Sequence, residues 1–291
     1  MGSSHNTLTR VSVIDSIQEV RLALAAHRKG GGSIGLVPTM GALHRGHGSL
    51  IETAALDTDL VVVSIFVNPI QFNDPCDFKQ YPRTLDSDAA YSESLGARMV
   101  FAPSTQEMYP EPQRSFVDVE GVSENLCGKF RPGHFRGVAT VVLKLLQIIQ
   151  PDRAYFGDKD AQQLAVIRRM VRDLNVPVEI ASVPTVREPD GLAMSSRNQH
   201  LTAGERRIAP ALYRALEAAE KRIAGGVRDP ELVKQEALEA LRHNDIRVEY
   251  LEIVDASSMQ PVERIGGPVL IAAAIWVGGT RLIDNVLSSG T

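Results

Sequence analysis

The sequence is poor in cysteine, in long apolar runs and in basic clusters, and each shortage argues against a class of protein. Only Cys76 and Cys127 occur, with no Cys-x-x-Cys spacing, which argues against a disulfide framework or a thiolate zinc site and fits a reducing cytoplasm. No stretch approaches the roughly 20 apolar residues that cross a bilayer, so we expect no membrane partner. The formal net charge is -4 without any dense Lys/Arg cluster. We therefore expect no nucleic-acid partner, although a small phosphate ligand remains compatible.

The composition is that of an ordinary soluble globular protein, with 44% hydrophobic and 23% charged residues. A chain of 291 residues fits one large domain or two modest ones, and we expect two. The opening letters MGSSH read like an expression-tag remnant and are left out of the fold prediction.

Apolar strand-like runs alternate with helical patterns through the first two thirds of the chain, which predicts an α/β fold with a parallel sheet. Runs such as LVVVSIF lack polar alternation, as expected for strands covered on both faces. The predicted strands are 33–40, 60–68, 98–103, 153–157 and 177–186.

Between these strands the sequence predicts helices and one long loop. The segment 136–150 is apolar nearly all round and predicts a deeply packed helix. In the segment 160–175, the stripe of Leu164, Ile167, Val171 and Leu174 predicts a helix that covers one sheet face. Residues 69–83 contain three prolines and no periodicity, so they predict a long loop.

After residue 186 the pattern changes to helices followed by strands, which predicts a smaller α+β domain. A capping-box match of Thr202 with Glu205 opens a helix in which Pro210 marks a kink or a late start. A second helix is predicted within 229–244. The stretches 247–255 and 269–286 predict an antiparallel pair of strands.

Two histidines, His44 and His47, follow the first long predicted strand in the segment PTMGALHRGH. Ligands of open α/β sheets bind at the carboxyl ends of the strands, where a helix N-terminus offers free amides. The imidazoles are suited to hydrogen-bond a nucleotide phosphate and to stabilise charge at its α-phosphorus. Two alternatives stay open: helix capping or a surface position, and a metal site, which the i, i+3 spacing without a carboxylate disfavours.

Two further segments carry groups that suit phosphate. In YFGDKDAQQL, Lys159 lies at a strand-to-helix turn and can neutralise phosphate charge, although Asp160 with Gln163 also matches a simple helix cap. In REPDGLAMSSRNQHL, at the junction of the two predicted domains, the hydroxyls and the arginine of residues 195–197 can clamp a leaving pyrophosphate.

Two weaker groups complete the set of candidates. Arg131, His134 and Arg136 in GKFRPGHFRGV either bind a carboxylate or phosphate or form a solvated turn. The uncharged amides near the predicted strand ends are suited to the hydroxyls of a small substrate. They are Asn68, Gln71 and Gln163.

In order and spacing, these segments resemble the pantothenate synthetases (pantoate–β-alanine ligases), members of the HIGH-motif nucleotidyltransferase superfamily. The matching segments are PTMGALHRGH, SIFVNPIQF, YPRT, RPGHFRGV, KLLQIIQPDRAYFGDKDAQQL and VREPDGLAMSSRN. The resemblance covers nearly the whole chain after its opening. It implies a Rossmann-like domain over 11–185 that binds ATP and pantoate, a smaller α+β lid domain over 186–291, and a homodimer formed through the larger domain.

The resemblance also implies a reaction, the ATP-dependent condensation of pantoate with β-alanine. The implied products are pantothenate, AMP and pyrophosphate, formed through a pantoyl adenylate, with ATP as co-substrate and Mg²⁺ accompanying it. No protein nucleophile is needed, which agrees with the lack of a convincing Ser/His/Asp or Cys/His arrangement. The alternatives are another adenylyl transferase on the same scaffold and a catalytically silent nucleotide-binding protein.

Carried over by position, the resemblance implies catalytic roles for His44, His47 and Lys159. The implied ATP-binding residues are Met40, Gly41, Ala42, Leu43, His44, Arg45, Gly46, His47, Gly157, Asp158, Lys159, Asp160, Val186, Met194, Ser195, Ser196 and Arg197. Gln71 and Gln163 are implied to bind pantoate.

Some positions are less well defined by the resemblance. Tyr81 and Arg131 match family positions without a firm role. The magnesium ligand stays open, with Asp86 and Asp88 as the acidic residues that follow YPRT. The chain departs from the usual pattern at Asp158, where many relatives have glutamate, and at Gly48, where a larger apolar residue is common.

Overall fold

The fold is described from a computed structural model, which describes residues 11–290. The MGSSH segment, predicted to be a tag remnant, lies outside the described residues. Six parallel strands form the larger sheet in the order β1-β4-β3-β2-β5-β6. They are β1 (Ser12–Ile14), β2 (Ile34–Thr39), β3 (Leu60–Ile65), β4 (Met99–Phe101), β5 (Arg153–Gly157) and β6 (Glu179–Val183). The α/β prediction is confirmed, and only the three-residue β1 was not foreseen.

The continuous apolar runs are explained by two separate cores, one on each face of this sheet. In β3, Val62 packs into one apolar cluster while Val61 and Val63 pack into the other. Because successive side chains of a strand point to opposite faces, a strand covered on both sides needs an apolar residue at every position.

Eight helices surround the strands of the larger sheet within the described residues. They are α1 (Ile17–Lys29), α2 (Arg45–Asp57), α3 (Pro75–Gln80), α4 (Leu85–Ser94), α5 (Thr105–Met108), α6 (Cys127–Phe130), α7 (His134–Ile149) and α8 (Ala161–Asp173). The deep packing predicted for 136–150 is confirmed, since 12 of the 16 residues of α7 are buried.

Two local predictions were wrong. Leu174 is 51% exposed because α8 ends at Asp173 and leaves it outside the apolar stripe. The segment 69–83 is not a plain loop, because it contains a 3-10 turn at Pro69–Gln71 and then α3. The signal for α3 was local: Asp74 accepts a hydrogen bond from the Cys76 amide at 2.7 Å, and proline occupies the first helical position.

The last third of the described chain forms three helices and an antiparallel sheet. They are α9 (Ala203–Ile208), α10 (Ala211–Ala224), α11 (Pro230–Ala240), β7 (Ile246–Asp255), β8 (Val269–Val277) and β9 (Thr280–Ser288). The capping box of Thr202 and Glu205 is confirmed, and Pro210 separates α9 from α10. The predicted antiparallel pairing of 247–255 with the following stretch is confirmed, but 269–286 is not one strand, because it is a hairpin that turns at Gly278 and Gly279.

The small sheet packs against both parts of the chain. Its residues Leu251 and Ile271 join the cluster formed with α10 and α11, whereas Tyr250, Leu270 and Ala272 join the main core of the larger sheet. The division at residue 186 stays a prediction. None of the helices in 11–290 has both the length and the apolar character that a membrane span requires.

The strand order places a crevice between β2 and β5. From β2 the chain continues to β3 and β4 on one side, and then returns to place β5 on the other side of β2. The two strands pair only at Gly35 with Arg153 and Leu36 with Ala154, and the ladder stops before their carboxyl ends. In open α/β sheets, ligands bind at such a switch point.

Candidate active site

A cavity of about 200 Å³ lies at the carboxyl ends of β2 and β5. Residues from five separate segments of the sequence meet there. Those expected from the sequence are Met40, His44, Gly46, His47, Gln71, Tyr81, Arg131, His134, Gly157, Lys159, Asp160, Gln163, Val186, Met194, Ser195, Ser196 and Arg197. The segments around His44 and around Lys159, which follow β2 and β5, are therefore neighbours in space.

The two histidines cap α2 with one nitrogen each. Nδ1 of His44 accepts a hydrogen bond from the Gly46 amide at 3.1 Å, and Nδ1 of His47 accepts one from the His44 amide at 3.3 Å. This is a reciprocal capping box made by two imidazoles. Helix capping thus uses only the Nδ1 atom of each histidine, and both rings still line the cavity.

The caps fix which nitrogen carries the proton. Because each Nδ1 accepts a hydrogen bond, the neutral rings carry hydrogen on Nε2, which remains a donor. Burial lowers the pKa of His44 to about 4, helped by the charge of Lys159 and opposed by Asp160. Burial and then His44 lower the pKa of His47 to about 3. At neutral pH both are uncharged donors, with ring centroids 4.1 Å apart.

Residues 41–43, which connect Met40 to these histidines, face away from the cavity. The amides of Ala42 and Leu43 donate to the Asp88 carboxylate at 2.9 and 2.8 Å. Gly41, Ala42 and Leu43 therefore do not line the cavity. The exposed side chain of Arg45 does not line it either.

Lys159 brings the positive charge that the histidines lack. It lies in a 3-10 turn directly after β5, with Nζ 3.9 Å from Asp160 and its side chain 19% exposed. Asp160 makes no side-chain capping bond to α8, so the capping alternative is not realised. Asn285 of β9 donates to the carbonyl oxygens of Asp158 and Lys159 at 3.0 and 2.9 Å, which fixes this turn from the small sheet.

Asp158 faces a different space from the rest of this turn. Its side chain lines a groove of about 1080 Å³ between α8 and β9. Burial raises the pKa of the Asp158 carboxyl, while a hydrogen bond with Ser182 and the charge of Arg168 oppose that rise. Asp158, which replaces the glutamate of many relatives, thus lies outside the histidine cavity.

A loop from beyond residue 186 closes one side of the cavity. Ser195 accepts a hydrogen bond from the Arg197 amide at 3.3 Å, which starts the 3-10 turn Ser196–His200. The Arg197 guanidinium lies 3.4 Å from the carboxylate of Asp77 in α3, and both side chains are partly exposed. Burial raises the pKa of Tyr81, whose hydroxyl is in hydrogen-bond contact with Ser196.

A chain of hydrogen bonds orients Gln71 in the cavity wall. Tyr109 donates to Oδ1 of Asn68 at 2.8 Å, and Nδ2 of Asn68 donates to Oε1 of Gln71 at 3.0 Å. The carbonyl end of Gln71 is therefore occupied, and its amide nitrogen donates to the sulfur of Met40 at 3.0 Å. Asn68 itself is 1% exposed and outside the cavity, so it acts through Gln71.

The RPGHF segment is partly inside the cavity. Nδ1 of His134 donates to the main-chain carbonyl oxygen of Gln71 at 2.9 Å, and Nε2 of His134 accepts from Arg131 at 3.0 Å. Burial and then Arg131 lower the pKa of His134 to about 3. Arg136 points elsewhere and stacks on Phe116 at 4.1 Å.

The same arrangement of segments is found in known proteins. The family model for pantoate-beta-alanine ligase matches residues 12–287. The chain belongs to this family. It is also 52% identical to the pantothenate synthetase of Moorella thermoacetica over 95% of this chain and 98% of that protein. The pantothenate synthetase of Thermotoga petrophila is 49% identical over 95% and 99%.

Solved structures of pantoate–β-alanine ligases have the same architecture. The pantothenate synthetase of Thermus thermophilus superposes with a TM-score of 0.89 at 45% identity, over 95% of this chain and 99% of that one. The enzyme of Francisella tularensis, in complex with β-γ ATP and β-alanine, gives 0.80 at 35% identity, over 97% and 100%. The chain is thus an enzyme of the pantoate–β-alanine ligase family.

Sequence patterns did not reveal several residues that shape this ligase site. The apolar walls include Pro38, Leu50, Phe72 and Tyr155. Pro38 opens the motif and has no N–H group for a sheet ladder. The pairing of β2 with β5 stops at Leu36, just before this proline, whereas the pairing of β2 with β3 continues to Thr39. Asn285 and the backbone-binding role of Asp88 had no local signal, because both act on segments far away in sequence.

The departure at Gly48 has a structural explanation. A Cβ atom at this position would lie 2.5 Å from the hydroxyl oxygen of Tyr91 in α4. Tyr91 thus occupies the space into which a larger side chain would extend, and the change lies outside the cavity lining.

Proposed function

We propose that the protein condenses pantoate with β-alanine at the expense of ATP, giving pantothenate, AMP and pyrophosphate through a pantoyl adenylate. The observation that carries the proposal is the meeting of two uncharged Nε2–H donors, on His44 and His47, with the Lys159 ammonium at the switch point of the sheet. The family and the names of its relatives support the same reaction.

In the first step, an oxygen of the pantoate carboxylate attacks the α-phosphorus of ATP, and the bond from that phosphorus to the bridging oxygen of pyrophosphate breaks. The carboxylate is already ionised at neutral pH, so no general base is required. The histidines donate to the α-phosphate oxygens, and Lys159 neutralises the charge that develops there. Hydrogen-bond donors placed in this way are worth about 2.7 to 4 kcal/mol each at oxyanion sites.

The loop after residue 186 is suited to the leaving group. Ser195, Ser196 and Arg197 offer two hydroxyls and a guanidinium, which can hold the β- and γ-phosphates. Arg197 has to exchange Asp77 for phosphate, and since both partners are partly exposed this ion pair is weak.

The acid is proposed to lie against Gln71 and Gln163. Sulfur is a weak acceptor, so a carboxylate or hydroxyl oxygen of pantoate readily replaces Met40 as the partner of the Gln71 amide. In the second step, the amine of β-alanine attacks the acyl carbon and the bond from that carbon to the phosphate oxygen breaks. AMP leaves, and the amine's surplus proton passes to solvent.

Magnesium is proposed to enter as part of the Mg·ATP substrate. Residues 11–290 contain no group of three His, Cys, Asp or Glu side chains suited to a metal. Asp86 is exposed, and Asp88 is bound to backbone amides. The residues present thus form no protein cage, in agreement with a cation that keeps its waters and binds mainly through phosphates.

Three further proposals rest on the family resemblance and on composition. They are a homodimer formed through the larger domain, a lid role for residues 186–291, and a cytoplasmic location. The lid role has structural support in the contacts of Arg197 and Ser196 with α3 and Tyr81. Light scattering after gel filtration tests the dimer.

Exchange of labelled pyrophosphate into ATP tests the function. We expect label in ATP only when pantoate is present, because the adenylation step runs backwards only from pantoyl adenylate. Exchange with another hydroxy acid but not with pantoate would refute the substrate. Tight ATP binding without exchange would identify a nucleotide-binding protein without this activity.

A further inference from the structure

Asp88 is a buried carboxylate whose partners are backbone amides rather than a cation. It lies in the first turn of α4 and is 3% exposed. Its oxygens accept hydrogen bonds from the amides of Ala42 and Leu43 at 2.9 and 2.8 Å, and from the Thr84 hydroxyl at 3.0 Å. Within residues 11–290 it forms no ion pair.

The turn that receives this carboxylate has an unfavourable backbone conformation. Gly41 has φ +84° and Ala42 has φ +52°, so two consecutive residues are left-handed. Glycine adopts this region freely, whereas alanine does so at a cost. A Cβ atom at position 41 would also lie 3.0 Å from the Asp88 carboxylate. The carboxylate thus compensates a turn that the sequence alone disfavours.

The turn leads directly into the histidine cap. Leu43 is followed by His44, whose own amide donates to Nδ1 of His47. A change in the Leu43 backbone would therefore reorient the His44 amide and loosen both Nδ1 contacts. Asp88 does not line the histidine cavity, and its contacts with residues 42 and 43 connect it to the histidines through this backbone.

We propose that Asp88 is a positioning residue for both histidines, because its carboxylate holds the 41–43 turn in the shape that keeps their Nε2–H groups directed into the cavity. The kinetic part of this inference rests on the proposed function. The prediction about the imidazole tautomers does not depend on that function.

The test uses the full chain with four variants. Asp88→Asn keeps the volume but places an amide NH₂ against one of the two backbone donors. Ala42→Gly removes the cost of the left-handed turn, and it is made alone and together with Asp88→Asn. Asp86→Asn is the matched control, since it removes an exposed charge from the same helix turn and makes no hydrogen bond to residues 41–43.

Two measurements are made on each variant. Nitrogen-15 NMR of labelled histidine reports which imidazole nitrogen is protonated, with signals assigned through the His44→Gln and His47→Gln variants. Pyrophosphate exchange gives kcat and the KM for ATP, with rates referred to the folded fraction.

For Asp88→Asn we expect mixed tautomers at His44 and His47, and kcat reduced by about 10- to 100-fold with a smaller change in KM. Adding Ala42→Gly should restore the Nε2–H signals and raise kcat at least about 3-fold, because glycine adopts the turn unaided. Asp86→Asn should match the wild type.

Unchanged tautomers together with unchanged kcat in Asp88→Asn would overturn the proposal, even if the variant melts earlier. If Asp88→Asn does not fold, Thr84→Val decides, since it removes only the hydroxyl that anchors the carboxylate. It should shift the tautomer signals and lower kcat by about 2- to 5-fold, and a wild-type spectrum and rate would refute the inference. A wild type that shows no pantoate-dependent exchange refutes the proposed function alone, because the NMR comparison still decides the role of Asp88.

Discussion

Asn285 in the last strand holds the backbone of Lys159 through a hydrogen bond of 2.9 Å to its carbonyl oxygen. The same side-chain amide binds the carbonyl of Asp158 at 3.0 Å, so one residue fixes both the lysine and the residue before it. The small sheet therefore sets the position of the only lysine among the described residues that line the cavity.

Replacing Asn285 with alanine should lower kcat for pyrophosphate exchange by about 10-fold, since a displacement of Lys159 by a fraction of an ångström would weaken its proposed contact with the phosphate. The loss of two hydrogen bonds should reduce the free energy of unfolding by about 1 to 3 kcal/mol. Steady-state kinetics and urea denaturation measure the two effects. Leu287→Ala, an exposed change on the same strand, is the control and should alter neither. A normal kcat in Asn285→Ala would contradict the coupling.

The two nitrogens of His47 can be separated by substitution. Asparagine places its oxygen near Nδ1 and keeps the helix cap, whereas glutamine places its nitrogen near Nε2 and keeps the donor. We expect His47→Asn to lose about 10²- to 10³-fold in kcat with stability nearly unchanged. His47→Gln should lose about 0.5 to 2 kcal/mol of unfolding free energy and less of the rate. Equal rates in the two variants would show that Nε2 has no catalytic role.

Stability should fall on mild acidification because of the buried histidines. Folding lowers the pKa of His134 from 6.5 to about 3, and of His44 to about 4. The unfolded chain therefore binds protons first as the pH falls through 6.5, so the stability is complete above that value and declines towards pH 3 or 4. Each histidine contributes at most about 1.4 kcal/mol per pH unit within this window.

Urea unfolding at pH 7, 6 and 5 tests this pH dependence. His134→Gln should reduce the slope of the unfolding free energy against pH. A slope that is the same in wild type and His134→Gln would show that His134 is protonated equally in both states.

Asp77→Asn should ease nucleotide binding. It removes the carboxylate that lies 3.4 Å from the Arg197 guanidinium and leaves that group free for phosphate. A partly exposed ion pair is worth less than about 1 kcal/mol, so the KM for ATP should fall by no more than about 5-fold, and less at high salt. Asp86→Asn removes an equal, exposed charge that is not paired with Arg197, and it should not change KM. An increase in KM for Asp77→Asn would mean that Asp77 supports nucleotide binding.

Gly137→Ala should disturb the side of the cavity that we propose binds the acid. A Cβ atom there would lie 2.5 Å from the Ile70 carbonyl oxygen and 2.7 Å from the Cα atom of Gln71. The Gln71 turn would have to move, so the KM for pantoate should rise several-fold and the unfolding free energy should fall by about 1 to 3 kcal/mol. Gly266→Ala, which meets nothing within 4 Å, is the control. An unchanged KM would show that the turn moves without affecting the acid.

The parallel sheet was predictable from the sequence because its physical cause is local. Strands such as β3 are covered on both faces, so each carries an uninterrupted apolar run that is visible without any tertiary information. The hairpin of β8 and β9 was read as a single strand, although Gly278 and Gly279 marked its turn.

The site was less predictable, because its geometry depends on contacts between distant segments. The sequence predicts that His44 follows a strand, but the conformation of the turn before it depends on Asp88. The position of the Lys159 backbone depends in the same way on Asn285. Sequence patterns also do not reveal which amides face inwards. Ala42 and Leu43 belong to the motif, and yet their amides bind Asp88.

In the proposed reaction, the weak hydrogen bond from Gln71 to the Met40 sulfur makes the two substrates differ in what they must displace. A hydrogen bond from an amide to a thioether sulfur is weak, so little is lost when a carboxylate oxygen replaces the sulfur. At the proposed acid site, Gln71 is therefore already oriented, and its amide nitrogen is held only weakly. The proposed nucleotide side is the opposite, because Arg197 would first have to break its ion pair with Asp77. The side of the cavity proposed for the acid is thus ready without ligand, whereas the side proposed for the triphosphate would be completed only by the ligand that it receives.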